Sequence, residues 1–165
     1  MQFNATKILS TIKTMTKQTK LSVPEIVYMS ASASPVAGKN ATFNLTTLGT
    51  SNALQSSVLP LYKDASMKNY VGDCLETSTV YFVNLTTLKK YSSMVTRAFK
   101  LPKGDIGVSH TPFLQKMGNY FDIANNTIEI APIVYGTGAY LNARGFVAIA
   151  AGGSTMKMIL IFLTV

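Results

Sequence analysis

The chain is poor in the residues from which most reactive centres are built. Its 165 residues include one cysteine, one histidine and no tryptophan. A lone Cys74 excludes an intramolecular disulfide and any zinc site made of several cysteines. A Cys–His nucleophile pair would need Cys74 and His110 to converge, and neither has a sequence neighbour that would orient it. Acidic residues are scarce too: 7 Asp and Glu stand against 15 Lys and Arg, and charged residues make up only 13% of the chain. Disorder requires low hydrophobicity with high charge, whereas 47% of this chain is hydrophobic. No apolar run reaches the ~18 to 20 residues that a membrane-spanning helix needs. There is no Rossmann glycine loop, phosphate loop or internal repeat, so nothing implies a nucleotide or metal cofactor.

What is present is Ser, Thr, Asn and Gly in abundance beside aliphatic residues, the composition of an all-β protein with a largely uncharged polar surface. A chain of this length buries roughly two thirds of the surface that its unfolded form exposes, enough for one self-sufficient core. The net charge of +8 would ordinarily suggest an anionic partner. However, Lys7, Lys13, Lys17 and Lys20 all precede the first acidic residue, Glu25, so a leader carries +4 and the remainder, with 11 basic and 7 acidic residues, another +4. We divide the chain accordingly into a basic leader, residues 1–23, and a β domain, residues 24–165.

On a helical wheel Ile8, Leu9, Ile12 and Met15 share one side of the leader and Lys13, Lys17 and Lys20 another, which predicts a basic amphipathic helix. Three readings fit it: a transit peptide, a basic arm touching nucleic acid or an anionic membrane through residues 1–20, or a solvated helix or extension beside the main fold. No clear signal peptide precedes the β domain.

Beyond the leader, short β-like runs alternate with turn residues, the pattern of an antiparallel sandwich or barrel. The runs are 25–30, 42–48, 78–83, 93–101, 105–109, 127–134, 140–151 and 156–165. The last is apolar on both faces: Met156, Met158, Leu160 and Phe162 face one way and Ile159, Ile161, Leu163 and Val165 the other. Such a strand is buried on both faces, so its outer side calls for a helix, a loop or another subunit, and oligomerisation through the barrel wall is expected unless the leader covers that face. In the run before it, Tyr140, Asn142, Arg144 and Phe146 form an aromatic and polar face opposite Leu141, Ala143, Gly145 and Val147. Arg144 fits either a ligand anchor, through its fork of donors, or a surface residue whose stem covers apolar area.

The string Ile133-Val-Tyr-Gly-Thr-Gly-Ala-Tyr-Leu-Asn-Ala-Arg-Gly-Phe-Val147 resembles the Gly-Thr-Gly and Ala-Arg-Gly signature of dirigent proteins. Leu101-Pro-Lys-Gly-Asp-Ile-Gly-Val108, Leu61-Tyr62 with Val71-Gly72, and Pro24-Glu25-Ile26 are similar, in the same order, to segments of the allene oxide cyclase and dirigent superfamily. The resemblance spans residues 24–165. It differs at Val27, where an allene oxide cyclase has asparagine, and at Pro24-Glu25, where a dirigent protein has His-Asp.

This resemblance implies an eight-stranded antiparallel β-barrel, assembled as a dimer or trimer, with a hydrophobic cavity. It implies an apolar, oxygenated ligand such as an oxylipin or a phenolic, whose cyclisation or stereoselective coupling the barrel guides as a cofactor-free isomerase of allene oxide cyclase type. Glu25 and Arg144 are the expected catalytic residues, and Tyr28, Phe113, Tyr135, Tyr140 and Asn142 the expected ligand contacts. The resemblance also implies a plastid or secreted location. Two other classes fit the composition: a capsid-like structural protein with a nucleic-acid-binding arm, and a binding-only defence or cell-surface protein.

Overall fold

A computed structural model describes residues 5–17, 20–30, 42–47, 52–82, 90–110, 115–116, 128–151 and 156–165. Its elements are α1 (Ala5–Thr16), β1 (Glu25–Ser30), β2 (Thr42–Thr47), β3 (Asn52–Tyr62), β4 (Tyr70–Phe82), β5 (Lys90–Leu101), β6 (Gly104–His110), β7 (Gln115–Lys116), β8 (Ile128–Gly136), β9 (Gly145–Ala151) and β10 (Met156–Leu163), with a 3-10 turn at Gly138–Tyr140. The order around the sheet is β1-β10-β9-β8-β6-β5-β4-β3, and pairing of Tyr28 with Tyr62 and Met29 with Leu61 returns β3 to β1. Eight antiparallel strands thus close a barrel. β2 pairs the stretch of β3 up to Val58, and β7 pairs β5 at Lys90 and Tyr91. Pro60, which has no N–H to give, stands where the edge of β3 changes from β2 to β1.

Alternation assigns the faces. Val27, Met29, Leu59, Leu61, Cys74, Phe99, Leu101, Ile106, Val108, Ala131, Val147, Ile149, Ile159 and Ile161 form one buried cluster, the barrel interior, which Tyr140 joins from the 3-10 turn. The other parity of β9 and β10, Ala148, Ala150, Leu160 and Phe162, forms a second cluster with Ile8 and Ile12 of α1. The two isoleucines are no more than 1% exposed, and burying each contributes roughly 1.5–3 kcal/mol. The leader is therefore a helix docked on the barrel wall, on the face for which a helix or another subunit was expected. Its connection is tied to the opposite end of the chain, since Ser22 N–H donates to the Leu163 carbonyl at 2.8 Å and Leu163 N–H to Ser22 Oγ at 3.0 Å.

Two expectations change. The run over 140–151 becomes a strand only at Gly145, because Gly138 and Asn142 adopt left-handed φ of 55° and 61° and the chain turns instead of extending. Arg144 consequently lies in a turn and not on a strand. β3 was not anticipated: its inward residues Gln55 and Ser57 are polar, which removes the alternating apolar signal.

Candidate functional site

The barrel interior divides along its axis. Near the end built by the 63–69, 102–103 and 137–144 connections it is apolar, with Phe99, Ile106, Leu61 and Ile161 fully buried. The next inward positions, toward Ser30, Phe82 and Ile128, carry Gln55, Ser57, Glu76, Ser78, Arg97 and Lys157, all buried, together with the half-buried Glu129. Register explains the placement. Glu76 pairs with Arg97 and Arg97 with Val108, Glu129 pairs with Ile149, and Lys157 pairs with Met29, so each charged side chain shares a face with an interior residue.

Arg97 organises this layer. Its Nε donates to Glu76 Oε2 at 2.5 Å, and its Nη1 donates to Glu129 Oε1. Burial opposes the guanidinium charge, but the two carboxylates outweigh it and hold Arg97 firmly protonated. Lys157 faces the same groups yet makes no hydrogen bond or ion pair among the described residues, although only 5% of it is exposed. Burial pulls its pKa below the ordinary lysine value; Glu76 acts in the opposite sense and Arg97 reinforces the fall. Cys74, fully buried below Glu76, has its thiol pushed well above the usual range by burial and then by Glu76, so it is a poor nucleophile. The arrangement offers two carboxylates oriented by one guanidinium, one lysine with a destabilised charge, and the neutral groups of Gln55, Ser57 and Ser78.

The residues singled out from sequence occupy other places. Glu25 and Tyr140 do meet: the Tyr140 hydroxyl donates to Glu25 Oε2 at 2.7 Å, and Lys103 Nζ stands 4.0 Å from the same oxygen. This trio belongs to the apolar end, where Glu25 is partly exposed. Asn142 and Arg144 are exposed in the turn that follows; the Arg144 carbonyl accepts Thr164 N–H at 2.7 Å, and its guanidinium has no partner among the described residues. Tyr28 lies on the outward parity of β1 and is half-buried. Tyr135 is 43% exposed. The irregular register of β8 against Gly107 and Val108 turns it outward, and its ring covers Gly107. Phe113 lies outside the described residues.

The glycines of the signature string are fixed by backbone approach. A Cβ on Gly145 would stand 2.0 Å from the Phe162 carbonyl oxygen, and one on Gly138 2.4 Å from that of Lys103. Thr137 completes the latch: its N–H donates to the Asp105 carbonyl at 2.9 Å and its Oγ1 accepts Asp105 N–H at 2.8 Å. The string therefore fastens the barrel floor to the β5–β6 turn. Sequence reasoning overlooked Glu76, Arg97, Glu129 and Lys157 because charges within strands read as solvent-facing; their shared parity with Cys74, Phe99, Ala131 and Ile159 was the available signal.

No protein-family profile and no curated protein sequence matches the chain. Solved structures do. A pterocarpan synthase dirigent protein aligns at a TM-score of 0.58 and 14% identity, with 89% of each chain covered. An exo-specific intermolecular Diels-Alderase aligns at 0.56 and 14% identity, over 87% of this chain and 94% of that one. A pyocyanin demethylase aligns at 0.54 and 16% identity, over 85% and 99%. This chain therefore folds as an antiparallel barrel similar to those of the dirigent protein and the Diels-Alderase.

Proposed function

We propose that the barrel binds a small, apolar, oxygenated ligand, an oxylipin or a phenolic, in its interior and guides the ligand's cyclisation or stereoselective coupling. The observation that carries this reading is the layer of Glu76, Arg97 and Lys157, buried together with the half-buried Glu129 above an apolar floor. Buried charge is costly unless paired, and a barrel that served only as a scaffold would be more stable with an apolar filling at these positions. A ligand spanning the two layers sets its hydrocarbon against Phe99, Ile106 and Ile149 and its oxygen against the charged groups. Shape and preorganised charge then restrict the geometry in which a reactive intermediate closes or couples. A pterocarpan synthase dirigent protein and an exo-specific intermolecular Diels-Alderase share this fold, which supports the class of reaction.

We also propose that the barrel self-associates. Val58, Leu75 and Ala98 lie side by side on the outer faces of β3, β4 and β5, with Gly107 and the Tyr135 ring next in the row. This apolar row lies away from α1, is flanked by the charged row Asp73, Lys100 and Asp105, and supports a homo-oligomeric contact.

The test is radical coupling of a phenol such as coniferyl alcohol by a one-electron oxidant, together with cyclisation of an unsaturated fatty-acid epoxide, each with and without the protein. Chiral chromatography of the products is the readout. An enantiomeric excess in either reaction that Arg97→Lys diminishes supports the reading. Racemic products in both, with no ligand-induced rise in melting temperature, overturn it.

A further inference from the structure

Lys157 is the group in the interior whose situation the fold alone leaves unexplained. Glu76 and Glu129 are both engaged by Arg97. Lys157, on the next strand but one from Glu129, is buried without a hydrogen bond or an ion pair among the described residues. A lysine on the opposite parity of β10 would be expected to disrupt the packing of α1, and a Met or Leu at position 157 would fill the interior at no electrostatic cost. Retaining an amine here has a chemical use. Burial favours the neutral, nucleophilic form of a lysine, and carboxylates nearby accept and return protons.

We propose that Lys157 is a covalent catalytic residue that condenses with the carbonyl group of an aldehyde or ketone ligand to form an iminium ion inside the barrel. The proposal rests on the interior-binding reading above and names the ligand's functional group. The Lys157 ammonium gives one proton to the carboxylate pair, and its nitrogen adds to the carbonyl carbon while the carbonyl π pair moves to oxygen. The carbinolamine oxygen takes up that proton and one from nitrogen and leaves as water, and the C=N bond forms with one proton remaining on nitrogen. The sum is ammonium plus carbonyl going to iminium plus water. The positive charge of the interior is unchanged, so Glu76 and Glu129 neutralise the iminium with Arg97 as they neutralised the ammonium. Conjugated to an alkene, an iminium withdraws electrons more strongly than the parent carbonyl, which lowers the barrier to ring closure or cycloaddition. Hydrolysis by water then restores Lys157 and releases a carbonyl product.

The test uses the full chain with a limiting amount of benzaldehyde and sodium cyanoborohydride at neutral pH, followed by peptide mass mapping. Burial favours the neutral amine of Lys157 over those of exposed lysines, so the expected result is one predominant benzylated peptide, carrying Lys157, with the peptides carrying the exposed Lys63, Lys68, Lys100 or Lys103 labelled only in trace. Lys157→Met and Lys157→Arg, each checked by circular dichroism, abolish it. Labelling spread over the exposed lysines, or equal labelling in Lys157→Arg, overturns the proposal. Binding of benzyl alcohol, which has no carbonyl, is followed in parallel by ligand-observed NMR. If the alcohol binds and the aldehyde is not trapped on Lys157, the lysine assignment falls and interior binding stands; if neither occurs, both fall.

Discussion

The hydroxyl of Tyr140 donates to the carboxylate of Glu25 across 115 residues of sequence, joining the first strand to the turn before the ninth. Tyr140→Phe removes this bond to a charged acceptor and is expected to cost about 1–2 kcal/mol. Burial, and after it the bond to Glu25, raises the pKa of the Tyr140 phenol. The folded protein therefore holds this proton more tightly than the unfolded chain. The associated stability is complete below the unfolded value of about 10 and is lost as pH rises beyond it. Urea unfolding between about pH 9 and 11 checks the sign: the wild-type margin over Tyr140→Phe should shrink. A margin that widens with pH would reverse the assignment.

Arg97→Met leaves Glu76 and Glu129 inside the barrel without their cation, and about 3–5 kcal/mol of stability should be lost. Adding Glu76→Leu, Glu129→Leu and Lys157→Met to Arg97→Met should recover most of the loss, since an apolar set then replaces the whole charged layer. Chemical denaturation of the three proteins measures this. A cost below about 1 kcal/mol for the single variant would mean that the carboxylates are well solvated.

Ile12→Ala in α1 should cost about 2–4 kcal/mol, because the isoleucine is completely buried on the outer wall. Ile12→Asp should release the helix and uncover Ala148, Ala150, Leu160 and Phe162. Increased dye binding and concentration-dependent sedimentation are the expected signs. A soluble Ile12→Asp variant with unchanged dye binding would show that the helix contributes little to covering that wall.

The alternation in β9 and β10 and the amphipathic leader were legible because strand and helix periods are local properties. The interior charges were not. Arg97 looks like a surface residue until its register with Glu76 and Val108 is known, and Lys157 sits beside Ile159 in a strand whose aliphatic residues dominate the reading. The signature string was visible as a motif, but its glycines serve backbone contacts and Arg144 is exposed. Only the assembled topology separates a residue that marks a fold from one that lines its interior.

Leu75→Asp places a charge in the middle of the row formed by Val58, Leu75 and Ala98. One neighbouring row of this surface is Ser56, Thr77, Thr96 and Ser109, so folding should be nearly unaffected, within about 0.5 kcal/mol. Sedimentation velocity should show an assembly for the wild type and a smaller species for the variant. Identical masses would remove this face as the contact.

The pairing of β1 with β10, Glu25 against Ile161 through Ser30 against Met156, also orders events during synthesis. Neither the barrel nor the docking face for α1 exists until β10 has left the ribosome, because Leu160 and Phe162 form that face. Until then Ile8 and Ile12 have no permanent partner. Over that interval the apolar side of the leader stays exposed to association with other chains, and only the emergence of β10 removes it from solvent.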